Sequence, residues 1–424
     1  MVSASVPYRR RVQVFEHETL GLKPNPRGDM VSQGELDRLW AFNDRHGQVY
    51  FKGVRNGIQF ASYVGVIQVC GLTLEILPKA DKVALGDAAA LNRWQKALIQ
   101  MLKVCGQLNV ASVSEANLAR RNHSLLDLYI EIFVQEIEYL QHHGLVKQYR
   151  LQSGQVRSLK GKLNFAQQIK ENLVHAERFF TEHQVYDHDH LVHQILLRAL
   201  IIVERLHVSP LLVDRIKSLK AAFSGIKERE ITSNDFGKVP HGRKFAPYAK
   251  AVEVARMVIL NYMPDVQGFG DNVLALLFDM NKLWEEYVYR MLYRVKIAGL
   301  EIVAQERQRF WANKEVRPDI VLRRKGPEGV PEVFVIDTKW KLLQRAQPAD
   351  DDLKQMYVYN LYWGAQRSML LYPMAQDEFE AYGHFHKGRE EGENACKVGF
   401  VSVLNRNGRL DADLGRKVLE KLGI

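Results

Sequence analysis

The sequence has 424 residues and a formal net charge of +10, with 46% hydrophobic and 25% charged residues. This composition is ordinary for globular proteins, so it excludes a fibrous or low-complexity chain, and the length predicts two or three domains. The surplus of positive charge suits a polyanionic partner such as nucleic acid, although many basic proteins bind none.

The cysteines and the apolar runs narrow the class of protein further. Cys70, Cys105 and Cys396 are widely separated, so by themselves they cannot form a paired disulfide framework or a four-sulfur cluster. This pattern favours a reducing, cytoplasmic environment. No apolar run approaches the length of a membrane span, and residues 1–17 lack the apolar core of a signal peptide, so we expect no membrane association.

The first two thirds of the chain are predicted to form two regions. Alternating or β-branched runs at 12–15, 57–63 and 64–77 predict a β-rich N-terminal module over residues 1–83. Residues 84–264 are predicted to be mainly helical. Helices are expected at 91–106, 125–144, 190–206, 210–223 and 246–262, where apolar residues recur at three- and four-residue spacing. The stretch 147–165 is expected to be extended.

A third region is predicted over residues 265–424, because the segment 264–270 contains one proline and two glycines. Its first element is predicted to be a helix over 271–295, with Asp271 as the N-cap and Glu285 within it. A second helix is expected over 351–363, where Gln355 and Tyr359 share a face because they are four residues apart. Strands are expected at 369–372 and 398–404.

Between these helices the chain has the signature of a β-hairpin. Two extended segments, 318–324 and 332–341, flank turn-forming residues at 325–329. A turn centred near Glu328 sets residues whose numbers sum to 656 opposite each other, and Asp319 and Asp337 meet that condition. Directly paired residues have Cβ atoms roughly 5 Å apart. Carboxylates held that close repel unless a cation neutralises them, so the pairing predicts a shared hard cation such as Mg²⁺.

Lys339 completes the predicted site. Side chains alternate along a strand, so Lys339 lies on the same face as Asp337, where it could orient an attacking water and stabilise charge that develops on a phosphate. The alternative is a surface hairpin with an exposed ion pair, because Pro-Asp and Asp-x-Lys pairs also occur by chance.

The surrounding sequence resembles a known nuclease superfamily. The segments PDIV at 318–321 and VIDTKWK at 335–341, preceded by FDMNKLWEEYV at 278–288 and followed by DLKQMYVYNLY at 352–362, are similar to the PD-(D/E)xK nucleases. Further segments resemble the McrC family, the nuclease subunits of the McrBC modification-dependent restriction systems, and extend the similarity over most of the chain. These segments are GVIQVCGLTLEILPKA at 65–80, SLKGKLNF at 158–165 and the stretch 186–200.

The resemblance implies a fold and a set of site residues. The expected fold is a multidomain α+β or α/β protein, in which a β-rich and helical docking region precedes a C-terminal restriction-endonuclease-like α/β domain. Asp319, Asp337 and Lys339 match the family's catalytic positions, and an aspartate stands at 337 where the superfamily more often has glutamate. Glu285 and Gln355 match helix positions that support metal or substrate, so Asp319, Asp337 and Glu285 are the expected metal ligands. Gln355 and Tyr359 are expected to position the substrate backbone.

The resemblance also implies a function and a partner. The expected protein is a Mg²⁺-dependent endodeoxyribonuclease that docks on an McrB-like AAA+ GTPase ring, stimulates it and cleaves double-stranded DNA at sites with modified cytosine. GTP would be bound by the ring, because this chain has no G-x-x-x-x-G-K-[ST] loop. Two alternatives remain open: a non-catalytic activator of a P-loop ring NTPase, and a stand-alone DNA repair nuclease.

Two other clusters of side chains invite a functional interpretation. Between residues 183 and 193 the chain has four histidines and two aspartates, which could bind zinc. Asp187 and Asp189, however, occupy positions expected for helix-capping acids, so a structural helix start is favoured. The basic loop 238–248 is a candidate for phosphate contact, and a solvated loop is equally compatible with its sequence.

Overall fold

The computed structural model describes residues 10–79, 87–108, 124–175, 177–206, 208–264, 272–326, 331–343, 347–365, 367–374, 381–385 and 395–424. Over these residues the chain has a mixed α/β structure with several β-sheets. None of the helices in these ranges is both long enough and apolar enough to span a bilayer.

Most of the helices begin at a residue whose side chain can cap the first turn. Ser32 and Glu35 form a capping box, Ser124 accepts a hydrogen bond from the amide of Asp127, and Asp279 accepts one from the amide of Asn281. The helices are α1 (Gln33–Arg45), α2 (Ala88–Val104), α3 (Leu125–His142), α4 (Phe165–Asn172), α5 (Leu191–Glu204), α6 (Pro210–Ala222), α7 (Ser233–Phe236), α8 (Ala249–Leu260), α9 (Met280–Val295), α10 (Asp350–Trp363) and α11 (Leu414–Leu422).

The strands are distributed along the whole chain. They are β1 (Arg10–Phe15), β2 (Thr19–Gly21), β3 (Phe51–Val54), β4 (Gly57–Phe60), β5 (Tyr63–Val69), β6 (Leu72–Leu77), β7 (Gln148–Val156), β8 (Lys162–Leu163), β9 (Phe179–Asp187), β10 (Tyr262–Met263), β11 (Val273–Asp279), β12 (Leu300–Ala304), β13 (Gln308–Trp311), β14 (Lys314–Val316), β15 (Ile320–Lys325), β16 (Pro331–Thr338), β17 (Arg367–Met374), β18 (Ala381–His384) and β19 (Ala395–Ser402). Strands predominate over residues 10–77, as the sequence predicted, but this stretch also contains α1, which sequence patterns did not predict. A separate N-terminal module stays a prediction.

The described residues form two compact units, and each unit combines segments that are distant in sequence. One unit lies within residues 68–71 and 110–276, and the other within 10–67, 72–109 and 277–424. The sequence predicted three consecutive domains instead. The assignment of partner docking to the first regions and of DNA cleavage to residues 265–424 stays a prediction, because the two compact units do not show the role of either region.

The unit within 110–276 has a helical core and a three-stranded sheet of order β7-β9-β8. Helix α5 packs against α6 and α8, and α3 packs against α6, burying apolar side chains such as Phe133, Leu196 and Ile216. Strand β7 pairs antiparallel with β9 over nine residue pairs, from Gln148 opposite Asp187 to Val156 opposite Phe179.

The second unit contains a six-stranded sheet of order β12-β15-β16-β17-β19-β18. Strands β12, β15 and β16 are antiparallel neighbours, whereas β16, β17 and β19 are parallel. Helix α10 covers one face of this sheet, where Met356 and Trp363 pack with Val321 and Val335 in a buried cluster. A buried central strand with mixed neighbours explains why β16 is apolar on both faces until its last residues.

The predicted helix over 271–295 is wrong in its first third. Residues Val273–Asp279 form strand β11, and the helix begins at Met280 with Asp279 as its N-cap. Asp271, the predicted N-cap, lies outside the described residues. The apolar run Val273–Leu276 is buried throughout as a strand, and a short apolar run has no period that separates a buried strand from a buried helix.

Helix α9 is held closely against α11. A Cβ atom added to Gly415 would lie 2.2 Å from the carbonyl oxygen of Met291, so only glycine permits this approach. On α9, the ring of Trp284 lies 5.3 Å from the ring of Trp340, just beyond the end of β16. These contacts fix the position of Glu285 relative to the sheet.

Candidate active site

The register of the β15–β16 hairpin determines which acidic residues face each other. Observed pairs run from Ile320 opposite Ile336 to Lys325 opposite Pro331, so paired residue numbers sum to 656 as predicted. Continuing this register by one residue sets Asp319 opposite Asp337. The turn residues 327–330 lie outside the described part of the chain.

Asp319 is anchored by the residue that follows Asp337. The backbone amide and the hydroxyl of Thr338 donate hydrogen bonds of 2.6 and 2.8 Å to Asp319 Oδ2. The amide of Gln305 donates a 2.9 Å hydrogen bond to the backbone oxygen of Asp319. Burial raises the pKa of Asp319 and outweighs the two Thr338 hydrogen bonds, which favour the ionised form. One carboxylate oxygen is therefore fixed by the protein in a partly buried setting.

Asp337 is almost completely buried, with 2% of its surface exposed, and its nearest charge is Lys339. The Lys339 ammonium lies 2.7 Å from Asp337 Oδ2. Burial, followed by the negative charge of Asp319, raises the pKa of Asp337, and Lys339 only partly offsets this. The ionised forms of these two neighbouring acids are therefore unfavourable in the protein alone, and a bound cation would stabilise them.

The Lys339 ammonium lies among three oxygen-bearing side chains. Besides Asp337, it is 3.4 Å from Asp352 Oδ1 and donates a 3.2 Å hydrogen bond to Gln355 Oε1. Burial alone would lower the pKa of Lys339, but the charges of Asp337, Asp352 and Asp319 together raise it. The ammonium therefore stays protonated at neutral pH, which suits charge stabilisation rather than base catalysis.

A chain of hydrogen bonds fixes the orientation of Gln355. Its Nε2 donates a 2.6 Å hydrogen bond to the hydroxyl of Tyr359, which in turn donates a 2.8 Å hydrogen bond to the backbone oxygen of Arg317. Burial raises the pKa of Tyr359 to about 12. Tyr359 is therefore neutral near pH 7, and its place in the chain leaves Gln355 Oε1 as the acceptor that faces Lys339.

Glu285 belongs to the same neighbourhood but is held through another side chain. Its carboxylate accepts a hydrogen bond from the Nε2 of Gln305, the residue whose backbone amide binds the Asp319 carbonyl. Burial and the charge of Asp319 raise the pKa of Glu285. The Glu285 carboxylate is therefore held by Gln305 and interacts electrostatically with Asp319.

The donor set fits a hard cation with few protein ligands. In the ranges that the structure describes, no three side chains of His, Cys, Asp or Glu are grouped so that they could hold a metal ion together. Asp319, Asp337 and Glu285, the expected metal ligands, therefore do not form such a group, and a cation here would depend on the carboxylates of Asp319 and Asp337. Mg²⁺ is commonly bound through one or two carboxylates, with water and substrate phosphate completing its shell, so this pair is a suitable beginning of such a site.

Three supporting residues were not anticipated from the sequence. Asp352 contacts Lys339 and also Lys341, whose ammonium is 2.6 Å from Asp352 Oδ2. The three consecutive acids at 350–352 could have indicated a charged first turn of α10. The sequence around Thr338 and Gln305 gives no comparable indication of their roles. Gln305 has a left-handed backbone conformation, with φ of 52°, which is uncommon for a residue other than glycine.

A cleft of about 630 Å³ adjoins this group of side chains. Gln355 and Tyr359 line it on one side, and the other lining residues are Arg307, Phe310, Glu315, Val316, Arg317, Lys354 and Val358. Three of these residues are cationic, so the cleft leading to Gln355 is suited to an anionic ligand such as a phosphodiester backbone.

The histidine cluster is a structural feature of the other unit. His193 lies 2.7 Å from the His188 carbonyl and 3.1 Å from the Tyr248 hydroxyl, and His190 lies 2.8 Å from the Val146 carbonyl. Burial lowers the pKa of His193 to about 3, so its ring is neutral. Both ring nitrogens of His193 and the Nε2 of His190 are therefore engaged in hydrogen bonds within the protein.

The predicted capping role of Asp187 and Asp189 is wrong. Helix α5 has His190 as its N-cap, without a side-chain capping bond. Asp187 instead pairs with Arg150 at 2.8 Å, and Asp189 accepts hydrogen bonds from Gln194 and from the amide of Lys227. The acids are used for tertiary contacts because β9 continues through Asp187 and delays the helix.

The basic loop 238–248 is also used partly within its own unit. Lys244 donates a 2.6 Å hydrogen bond to the Lys147 carbonyl, and Tyr248 is buried, with its hydroxyl accepting from the Val146 amide. A role in phosphate contact stays a prediction.

Comparisons with known proteins identify a family and a shared fold. A family model described as McrBC 5-methylcytosine restriction system component matches residues 58–373. A chain from the refined half-complex of the tetradecameric assembly of Thermococcus gammatolerans McrB AAA+ hexamers with bound McrC is 20% identical, with a TM-score of 0.69, over 97% of this chain and 100% of that chain. A chain from the cryo-EM structure of the Thermococcus gammatolerans McrBC complex is 20% identical, with a TM-score of 0.49, over 67% of this chain and 87% of that chain. No curated protein matches significantly. At this identity, the first of the two structures shows a shared fold.

Proposed function

The chain belongs to the McrBC 5-methylcytosine restriction system component family, and from this premise we propose that it is the system's nuclease subunit. In this proposal its six-stranded sheet and flanking helices form a PD-(D/E)xK endonuclease domain that cleaves double-stranded DNA by metal-dependent phosphodiester hydrolysis. The observation that carries the proposal is the convergence of Asp319, Asp337 and Lys339 at the end of the β15–β16 hairpin.

Asp319 and Asp337 are the residues that would hold the metal, with Glu285 as an outer partner. Both aspartates have carboxylates whose ionisation is opposed by burial, so a divalent cation would stabilise their charged forms. When bound, Mg²⁺ would lower the pKa of a coordinated water and neutralise charge on the scissile phosphate. Thr338 holds one oxygen of Asp319 in place for this purpose.

The remaining side chains would position and stabilise the substrate. Lys339, protonated and held between Asp337 and Gln355, would orient the attacking water and stabilise the negative charge that develops on the phosphate. Gln355 and Tyr359 would keep the ammonium aligned through their hydrogen-bond chain. Arg307 and Arg317 in the cleft would contact the DNA backbone.

The proposed partner is an McrB-like AAA+ ring that binds GTP. The structure with a shared fold is described as McrB AAA+ hexamers with bound McrC. The present sequence lacks a G-x-x-x-x-G-K-[ST] loop, which supports a division of labour in which the ring hydrolyses the nucleotide and this chain docks on it and stimulates it. Recognition of 5-methylcytosine would then lie with the ring.

The proposal is tested with a purified complex of this chain and an McrB-like AAA+ ring. With GTP and Mg²⁺ the complex should linearise a plasmid that contains 5-methylcytosine, and Asp337→Ala should abolish the cut without reducing GTPase stimulation. Asp351→Ala is the matched control, because Asp351 is a strongly exposed acid on α10. Undiminished cutting by Asp337→Ala overturns the site.

Other outcomes identify the two alternative functions. Stimulation of the GTPase by wild-type chain without any cleavage would indicate a non-catalytic activator. Cleavage by the isolated chain without ring or nucleotide would indicate a stand-alone repair nuclease.

A further inference from the structure

A small β-hairpin beside the cleft carries two exposed aromatic side chains. Strands β13 and β14 form a two-stranded sheet of their own, with Gln308 opposite Val316 and Trp311 opposite Lys314. Phe310 is 50% exposed and Trp311 is 70% exposed. Solvent-exposed aromatic rings contribute little to the stability of the fold. Two of them on one hairpin therefore indicate a surface that binds a partner.

An irregularity in the hairpin sets the direction of these rings. The pairing register shifts between Arg309 and Trp311, which leaves Phe310 as the extra residue of a bulge. The Phe310 ring packs 5.9 Å from the Tyr362 ring on α10, and Phe310 lines the cleft. Phe310 therefore anchors the hairpin to α10, whereas the neighbouring Trp311 remains the more exposed of the two.

The charge around these rings is strongly positive. Residues 307–317 contain four cations, Arg307, Arg309, Lys314 and Arg317, and one acid, Glu315. Only Glu315 offsets this charge within the segment, at 3.5 Å from Arg307. A surface on which aromatic rings alternate with cations is typical of nucleic-acid-binding proteins, because the cations contact phosphates and the rings stack on bases.

The hairpin and the candidate catalytic group share the same cleft. Arg307, Phe310 and Arg317 line it from the hairpin side, and Gln355 and Tyr359 line it from α10. Gln355 accepts a hydrogen bond from Lys339. A polyanion bound in this cleft would therefore contact Gln355, whose side chain is hydrogen-bonded directly to the Lys339 ammonium.

We propose that the hairpin Gln308–Val316 is a DNA wedge: Trp311 inserts between or stacks against bases of duplex DNA, while Arg309 and Lys314 hold the flanking phosphates. Inserted apolar side chains unstack a base step and kink the duplex, which would open the backbone towards Lys339. This inference rests on the proposed function, in that it takes the ligand of the cleft to be DNA.

The experiment measures base unstacking directly. The complex of this chain with its ring, carrying Asp337→Asn to prevent cutting, is mixed with 5-methylcytosine duplexes in which 2-aminopurine occupies successive positions. The fluorescence of 2-aminopurine rises when it is unstacked. We expect a rise at one or two adjacent positions, its loss in Trp311→Ala, and about a tenfold to hundredfold weaker Kd in that variant.

Matched variants separate stacking from unfolding. Trp311→Phe should keep most of the fluorescence rise, and Trp40→Ala, at a partly exposed tryptophan on α1, should leave both the rise and the Kd unchanged. Circular dichroism and thermal unfolding check that each variant is folded. An equal fluorescence rise and an equal Kd in Trp311→Ala and its parent overturn the proposal, as does a parent that binds the duplex without any rise.

Failure of the wedge and failure of the nuclease assignment give different results. A wild-type complex that never cleaves but gives a Trp311-dependent fluorescence rise supports the wedge and contradicts the nuclease assignment. Cleavage at the wild-type rate by Trp311→Ala, with an unchanged fluorescence rise, contradicts the wedge and leaves the nuclease assignment intact.

Discussion

The indole Nε1 of Trp340 donates a 2.6 Å hydrogen bond to Oε1 of Glu16, which is 324 residues away in the chain. Both side chains are buried, with 5% and 2% of their surfaces exposed. Glu16 follows β1 directly, and its Oε1 also accepts a 2.8 Å hydrogen bond from the amide of Lys79. The N-terminal segment therefore fixes the residue immediately after Lys339, so the candidate site depends on chain that is far from it in sequence.

Loss of this hydrogen bond should destabilise the protein measurably. Trp340→Phe keeps an aromatic ring against Trp284 but removes the donor, leaving the buried Glu16 with fewer partners. We expect the free energy of unfolding to fall by about 1–3 kcal/mol, the cost of an unsatisfied buried polar group. Urea unfolding measures it, and Trp40→Phe, at a partly exposed site, should change it by less than about 0.5 kcal/mol. Equal stabilities of Trp340→Phe and wild type would contradict this role.

Glu16 should also make stability depend on pH. Burial raises the pKa of Glu16 to about 7, and the hydrogen bonds from Trp340 and Lys79 only partly oppose it. Because this folded-state pKa lies above the unfolded value of about 4.5, the stabilising contribution is fully present below pH 4.5 and is lost as pH rises through 7. Glu16→Gln should therefore lose less Tm than wild type between pH 5 and pH 8.5. Parallel Tm curves for the two proteins would show that Glu16 does not titrate in this range.

The hairpin at the site could be predicted because its information is local. Turn-forming residues in the sequence near Glu328 predict a register in which paired numbers sum to 656, and the observed pairs have this register. Continuing it by one residue sets Asp319 opposite Asp337. The predicted helix that carries Gln355 and Tyr359 lies within one residue of the observed helix at each end. Its end is a local signal, because Gly364 directly follows Trp363 in a left-handed conformation.

What could not be predicted depends on contacts between distant residues. Nothing in the local sequence links Trp340 to Glu16, or Gln305 to Glu285 and Asp319, because these pairs form only when segments that are distant in the chain pack together. The sequence predicts helix over Val273–Asp279, where the structure has a strand, because the burial of both faces at Val273–Leu276 removes the periodicity that distinguishes a strand from a helix. Tertiary packing therefore determined the supporting residues, while local pattern determined the acids and the lysine.

Tyr359 should act as a positioning residue for Lys339. Tyr359→Phe removes both the hydrogen bond from Gln355 and the one to the Arg317 carbonyl, so the Gln355 amide is free to rotate away from Lys339. We expect the cleavage rate to fall about tenfold and, because two hydrogen bonds of a buried hydroxyl are lost, the free energy of unfolding to fall by about 1–3 kcal/mol. Cleavage by Lys339→Met should fall below detection. Gln355→Ala and Tyr359→Phe should be non-additive, because they interrupt one chain.

Two comparisons test the role of Tyr359 specifically. Tyr293→Phe removes a hydroxyl from an exposed tyrosine on α9 and should leave the cleavage rate unchanged. Full additivity of the Gln355 and Tyr359 variants in a cycle of single and double mutants would mean that the two residues act separately.

Asp337 should reduce stability in the absence of metal while being required for activity. Burial and the charge of Asp319 raise the pKa of Asp337, so its stabilising contribution is present below the ordinary value of 3.8 and is lost as pH rises through the elevated folded-state value. In EDTA at pH 8, Asp337→Asn should therefore unfold at a higher temperature than wild type, and the difference should shrink towards pH 4. The same substitution should reduce cleavage by at least about 100-fold, since a metal ligand supplies several kcal/mol of transition-state stabilisation.

Addition of Mg²⁺ distinguishes a metal ligand from a merely buried acid. Magnesium that binds only the folded state stabilises it by about 2.7 kcal/mol at a hundred times Kd, so the Tm of wild type should rise on titration. Asp337→Asn should show little or no rise, while Asp351→Asn, at an exposed acid of α10, should behave like wild type. An equal Mg²⁺-dependent rise in Asp337→Asn and wild type would mean that the cation binds elsewhere, and Asp337 would then have to be removed from the proposed metal site.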